Sequence, residues 1–160
     1  MQIHTIDLEF QDTRHAIAAF LLESSETKVL IETGPESTRD QLLGKLTELG
    51  CPACELDAVF VTHIHLDHAG AAGWFGKEGI PLYVHHRGAR HLIDPSRLIE
   101  SARMIYAERF DSLWGEMVPA PEEQVNSLEG GEVVEVGDLS IEVLETPGHA
   151  FHHHVFAVNS

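Results

Sequence analysis

The chain has 160 residues, 43% of them hydrophobic, enough for the core of one domain and too few for several. No apolar stretch approaches the ~20 residues of a membrane-spanning helix, and the first ten residues, with His4, Asp7 and Glu9, lack the basic-then-apolar pattern of a signal peptide, so the expected location is the cytoplasm. A net charge of −16 repels phosphate backbones and anionic lipid, so neither nucleic acid nor membrane is an expected partner.

Ile3, Ile6 and Leu8 alternate imperfectly with polar residues, as in a half-buried strand. Residues 16–22 are nearly continuous in apolar side chains, and a turn cluster at 23–27 separates them from the run 28–32. That pattern predicts a hairpin or meander with buried strands, ended by Gly34-Pro35. Ser37 is a candidate cap for the next segment, with Asp40 three positions on. Leu42, Leu43, Leu46 and Leu49 then recur at helical spacing until Gly50. Cys51 and Cys54 follow as a lone C-x-x-C pair. There is no second pair to complete a four-thiolate site and no strand leading in, so they read as two thiols in a connecting loop.

Residues 58–62 are short, apolar and β-branched. A strand placed after a helix in this way is expected to pair in parallel and to be buried on both faces. It runs into His63-Ile64-His65-Leu66-Asp67-His68. Gly70, Gly73, Gly76 and Gly79 predict a compact, turn-rich stretch, and residues 81–84 a short strand with His85 and His86 at its exit. From Pro95-Ser96 onward, Leu98, Ala102, Ile105, Tyr106, Phe110, Leu113, Trp114 and Met117 step by three or four, predicting one long helix that stops before Pro119. Core packing is the first use of this stripe. The aromatic face of Tyr106, Phe110 and Trp114 leaves a lid over the site or a dimer surface as alternatives. Residues 132–136 and 139–145 read as strands around a Gly137-Asp138 turn, Thr146-Pro147-Gly148-His149 follows, and 155–158 is the last strand. No internal repeat or low-complexity linker divides the chain.

The chemistry is concentrated at 63–68. Three imidazoles and a carboxylate within six positions are the ligand types that Zn, Fe and Mn accept. At the end of a strand, His63 and His65 can face one point while Asp67 and His68 project toward a second. A straight helix with this spacing could not present all four together. Two histidines are too few for a tetrahedral catalytic metal, which takes three protein ligands and an open position. His149, in the Pro147-Gly148 turn, is the preferred third ligand, with His152, His153 and His154 competing. His85, His86 and His91 read as ordinary histidines, with a place in a substrate pocket as the alternative.

Thr62-His63-Ile64-His65-Leu66-Asp67-His68-Ala69-Gly70, followed some eighty residues later by Thr146-Pro147-Gly148-His149, resembles the metallo-β-lactamase-fold hydrolase superfamily. The likeness runs over essentially the whole chain, including the Thr33-Gly34 turn. It implies an α/β fold, part of a four-layer αββα sandwich, and two divalent metal ions, zinc first, with iron or manganese as alternatives. His63, His65 and His149 would bind one ion, and Asp67 and His68 the other. A water or hydroxide between them would attack an ester, thioester, lactone, β-lactam or phosphoester substrate, with Asp67 as the catalytic residue that orients it and accepts its proton. Members usually continue into a second half that supplies a bridging Asp and a final His. After His149 this sequence has no Asp and eleven more residues. Residues 1–160 therefore read as the N-terminal portion of one such domain, and a homo-oligomer or a second chain completing the fold is an expected partner beside a small-molecule substrate. The alternatives are an iron-dependent oxidoreductase of the same fold, similar to persulfide dioxygenases, and a non-catalytic metal-binding paralogue. The flavo-diiron branch usually carries Glu where this chain has His65.

Overall fold

Period-two alternation in the first strands gives one sheet two apolar faces. In the computed structural model, which describes residues 1–159, β1 (Gln2–Asp7), β2 (Ala18–Glu23) and β3 (Lys28–Ile31) form an antiparallel meander. β4 (Ala58–Phe60), β5 (Leu82–His85) and β6 (Val125–Leu128) extend it in parallel, giving a six-stranded sheet in the order β1-β2-β3-β4-β5-β6. Successive side chains of a strand point to opposite faces. Leu21, Leu30, Val59, Leu82 and Val84 accordingly enter one core, and Leu22, Val29, Phe60 and Leu128 enter another.

The helices occupy the first face. They are α1 (Arg39–Glu48), α2 (Leu66–Ala69), α3 (Ala72–Lys77), α4 (His86–Ile93), α5 (Ser96–Tyr106) and α6 (Phe110–Trp114). Leu42, Leu46, Ala69, Phe75, Leu92, Ala102 and Phe110 come from these helices into the core that holds Leu21 and Val59. Against the second face lies a three-stranded antiparallel sheet, β7 (Val133–Val136), β8 (Leu139–Glu145) and β9 (His154–Asn159). Its Val136, Leu139, Ile141 and Val143 pack with Phe60, whose ring stacks on Tyr83 at 4.4 Å and meets Phe156 edge-on. The layers are thus helix, sheet, sheet. Among the described residues no helix covers the outer face of the second sheet, where Val133, Leu144 and Val155 are exposed. No described helix is long and apolar enough to cross a membrane.

Several expectations change on contact with the structure. Ser37 does not cap α1: its Oγ donates to the carbonyl of Leu113 at 2.6 Å, tying the α1 entrance to α6, and α1 has no side-chain cap. The single long helix after Pro95 breaks in two. Ala107 takes φ 48°, a 3-10 turn follows, and the chain doubles back so that Phe110 and Leu113 are buried. Arg103 holds the fold-back from both sides, pairing with Asp111 at 2.7 Å and lying over the Phe110 ring at 4.3 Å. Gly115 then permits a tight passage, since a Cβ there would lie 2.8 Å from the backbone N of Ser37. The stretch from Gly70 to Gly79, expected to be turn-rich, holds the helix α3, and two more elements went unseen in the sequence. α4 begins at His86, directly after β5, where the His85 ring accepts the backbone N–H of Arg87. β6 carries Asn126 and Ser127 and is recognisable only from its pairing with β5. The cysteines behave as read: both are free, with Cys51 in the core and Cys54 exposed, and burial pushes the Cys51 thiol up to about 11.

Candidate metal centre

The six-residue motif leaves β4 at the edge where the parallel strands end, the position at which α/β sheets gather ligands. Phe60 and Val61 are still in sheet register; Val61 donates to Tyr83. His65 is then the residue preceding α2, with extended φ and ψ, and Asp67 and His68 lie within that helix. This is the extended-to-turn backbone that the spacing requires.

His149 reaches the same place from the other sheet. β8 ends at Glu145, and the turn that follows is closed by Thr146 N donating to His153 O at 3.0 Å. β9 starts by donating from His154 N to Thr62 O at 2.9 Å, which stitches the turn to the strand carrying the motif. His63, His65 and His149 consequently each offer one ring nitrogen within 4.8 Å of the other two. His65 Nδ1 and His149 Nε2 are 3.1 Å apart, and the His63 ring centroid is 4.6 Å from that of His65 and 5.0 Å from that of His149.

The protonation of these rings follows from their surroundings. His63 is buried, and burial, reinforced by the neighbouring imidazoles, pushes it down to about 3. Its Nδ1 lies 2.9 Å from Thr62 Oγ1, while its Nε2 is buried without a hydrogen-bond partner. With the proton on Nδ1 directed at Thr62, Nε2 presents a lone pair to the centre of the trio, the arrangement by which an outer hydrogen bond fixes a ligating tautomer. His65 is also held below its ordinary value, by burial and by His149.

Asp67 and His68 make a different arrangement. They are not among the three that converge within 4.8 Å, although the His68 ring centroid lies 4.0 Å from that of His63. His68 lies between two carboxylates, Nε2 at 3.3 Å from Asp67 Oδ2 and Nδ1 at 3.4 Å from Glu32 Oε1. Against the penalty of burial, those two carboxylates push His68 up to about 10; Asp67, despite its own burial, is held below the usual carboxylate range by His68. A cation bound to this ring has to displace a proton.

Glu32 is the residue that sequence reading passed over. It is buried, adopts φ 66°, and accepts the backbone N–H of Thr62 at 3.2 Å in addition to facing His68. The adjoining Thr33 donates through its backbone N–H to the His68 carbonyl. A charged residue closing an apolar run just before Thr33-Gly34 was the available signal. His153, a competitor for the third-ligand role, is turned toward Thr146 Oγ1 at 2.7 Å, and His152 Nδ1 is buried without a partner.

A second trio, His85, Glu145 and His154, also comes together. The two rings stack at 4.4 Å and both are buried. Burial holds His85 below its ordinary value and takes His154 down to about 4. His85 Nδ1 accepts from Arg87 N at 3.1 Å, which puts the His85 proton on Nε2, the atom 3.4 Å from Glu145. That nitrogen has no hydrogen-bond partner, and neither has either ring nitrogen of the buried His154, so this trio shares unpartnered imidazole nitrogens with the first. His85, His86 and His91 take no part in the cavity beside the motif.

The chain belongs to the metallo-beta-lactamase superfamily, whose family profile matches residues 12–160. Among solved structures it is similar to a metallo-beta-lactamase family protein from Thermus thermophilus, at 26% identity and TM-score 0.72 over 96% of this chain and 55% of that one. The FEZ-1 metallo-beta-lactamase from Legionella gormanii matches at 17% identity and TM-score 0.71, over 96% of this chain and 53% of that one. MEM-A1, a subclass B3 metallo-beta-lactamase from a soil metagenome library, matches at 21% and 0.72, over 98% and 54%. The chain spans about half the length of these structures. No curated protein matched it. The helix–sheet–sheet arrangement is thus part of the metallo-β-lactamase fold.

Proposed function

We propose that the protein containing this chain is a metal-dependent hydrolase, that His63, His65 and His149 hold one divalent cation, and that Asp67 and His68 serve a second. One observation carries the reading: the buried His63, whose Nε2 has no hydrogen-bond partner, offers a ring nitrogen within 4.8 Å of one on each of His65 and His149. An uncompensated buried polar atom is costly, and three convergent imidazoles match the donor set of a catalytic zinc site, which keeps a fourth position open. Membership of the superfamily supports the same reading.

When bound, a divalent cation supplies Lewis acidity toward a carbonyl or phosphoryl oxygen and makes water more acidic. The rest is done by side chains. Thr62 fixes the His63 ring. Asp67, ionised beside His68, is the base able to orient a water and take its proton. His68 holds Asp67, and Glu32 holds His68 while also fixing the Thr62 backbone, so the whole array is anchored to β3 and β4. We read residues 1–160 as the N-terminal portion of a single domain, with the remaining ligands of the second ion coming from the rest of that domain or from another chain.

The test is elemental analysis of the purified protein, with His63→Ala and His65→Ala beside it. Near-stoichiometric zinc or manganese that both substitutions abolish is the expected result. Unchanged metal content in the variants would sink the ligand assignment, and iron accompanied by oxygen consumption would replace hydrolysis with oxidation.

A further inference from the structure

α5 and α6 do more than cover the sheet. The break at Ala107 leaves a cavity of about 350 Å³ between them and the metal motif. His65 and Asp67 lie on one side, and Leu98, Ala102, Ile105 and Trp114 stand on the other. The lining contains no lysine or arginine; its only charge outside the imidazole is Asp67, and Ser101 and Tyr106 contribute hydroxyls. Between α5 and α6, then, the wall gives an anionic group no cationic side chain to pair with. Ile105, a large aliphatic residue, is 75% exposed at this cavity, so apolar surface stands ready to be covered by something other than the core. Its volume is at the low end for small-molecule sites.

We propose that this cavity is the acyl subsite of the enzyme, taking the uncharged hydrocarbon chain of a medium-chain ester, thioester or lactone whose carbonyl is delivered to His65 and Asp67. This rests on the hydrolase reading for its chemistry, but the pocket is testable apart from it. The argument is one of continuity: the apolar side chains of α5 and α6 line the same cavity as His65 and Asp67, so a substrate bound there has its chain and its reactive group in one space.

Two measurements separate the claims. In the first, methyl resonances of Leu98, Ala102 and Ile105 are followed by NMR while 1-butanol, 1-octanol or dimethyl phosphate is added to the full chain. Each methylene buried contributes a factor of about four (~0.8 kcal/mol), so 1-octanol is expected to shift these resonances saturably and to bind at least about tenfold more tightly than 1-butanol, with no response to dimethyl phosphate. Equal affinity for both alcohols, no saturable shift, or a shift on adding dimethyl phosphate would each overturn the proposal. In the second, the zinc-loaded protein is given p-nitrophenyl acetate, butyrate and octanoate. kcat/KM should rise with chain length by at least about tenfold from acetate to octanoate, and the octanoate-to-acetate ratio should collapse in Ala102→Phe. Ile105→Asp, at the exposed rim, should lower the same ratio and serves if the phenylalanine prevents folding. A ratio that stays flat in the parent, or that survives both variants, refutes the subsite. If the whole protein that contains this chain, loaded with zinc, turns over no ester at all, the hydrolase reading fails, and the alcohol titration still decides the pocket.

Discussion

Glu32 combines two features that pull in opposite directions, and substitutions separate them. Its side chain accepts the Thr62 N–H at 3.2 Å and lies 3.4 Å from His68 Nδ1, while its backbone sits at φ 66°, where a Cβ is unfavourable. Glu32→Ala removes the acceptor but keeps the Cβ. Stranding the partly buried Thr62 N–H costs about 1–2 kcal/mol. Losing a carboxylate beside a His68 ring that is one-third exposed adds roughly 1 kcal/mol, well below the value for a fully buried pair. The expected total is about 2–3 kcal/mol. Glu32→Gly makes the same losses but relieves the left-handed backbone, which is worth about 1 kcal/mol. Glycine should therefore be the less destabilising replacement, contrary to its usual rank below alanine. Urea unfolding followed by circular dichroism measures both, with Glu142→Ala on the exposed face of β8 as the control expected to stay within about 0.5 kcal/mol. If Glu32→Ala matches that control, or alanine proves more stable than glycine, the account of Glu32 is wrong.

Three other outcomes follow from the same structure. Gly73→Ala should destabilise by about 1–3 kcal/mol in thermal or urea unfolding, because its Cβ would be driven to 1.7 Å from the carbonyl oxygen of Val118; a neutral result would mean that this strand of chain yields freely. Converting Cys51 and Cys54 to Ser should leave metal content by elemental analysis unchanged, since neither thiol is near the imidazole trio, and a loss would show that the pair participates. Asp138 is pulled down to about 2 by hydrogen bonds from Ser24, Thr27 and Ser25. A depressed carboxylate contributes stability that is complete above its ordinary value and lost as pH falls through the folded one. Asp138→Asn should therefore lose some stability at pH 6 and show a shallower decline of Tm between pH 4 and pH 2 than the parent; parallel curves would refute the assignment.

Much of the site was written locally. His63 through His68 lie in one short stretch after an apolar strand, and a run of that composition has little use except to bind a cation. The Pro147-Gly148 turn marked His149 in the same way. The meander of β1 to β3, the parallel entry of β4 and the loop position of the cysteines were also legible, because period-two alternation, helical leucine spacing and glycine stops are properties of neighbouring residues. What lay beyond reach depended on contacts between distant segments. β6 is a strand only because β5 offers it an edge, and the helix expected to run from Ser96 toward Pro119 breaks at Ala107 because Arg103, Asp111 and Phe110 hold it folded back. Glu32 looked like the polar end of a buried strand until β3 and β4 were laid side by side, 30 residues apart in sequence from the Thr62 N–H it accepts. The sequence by itself determined which atoms are available for chemistry, since ligand type and close spacing are local. Only the tertiary structure decided which imidazoles converge, which is pushed down by burial and which is pushed up between two carboxylates, because burial and electrostatic neighbours are set by packing.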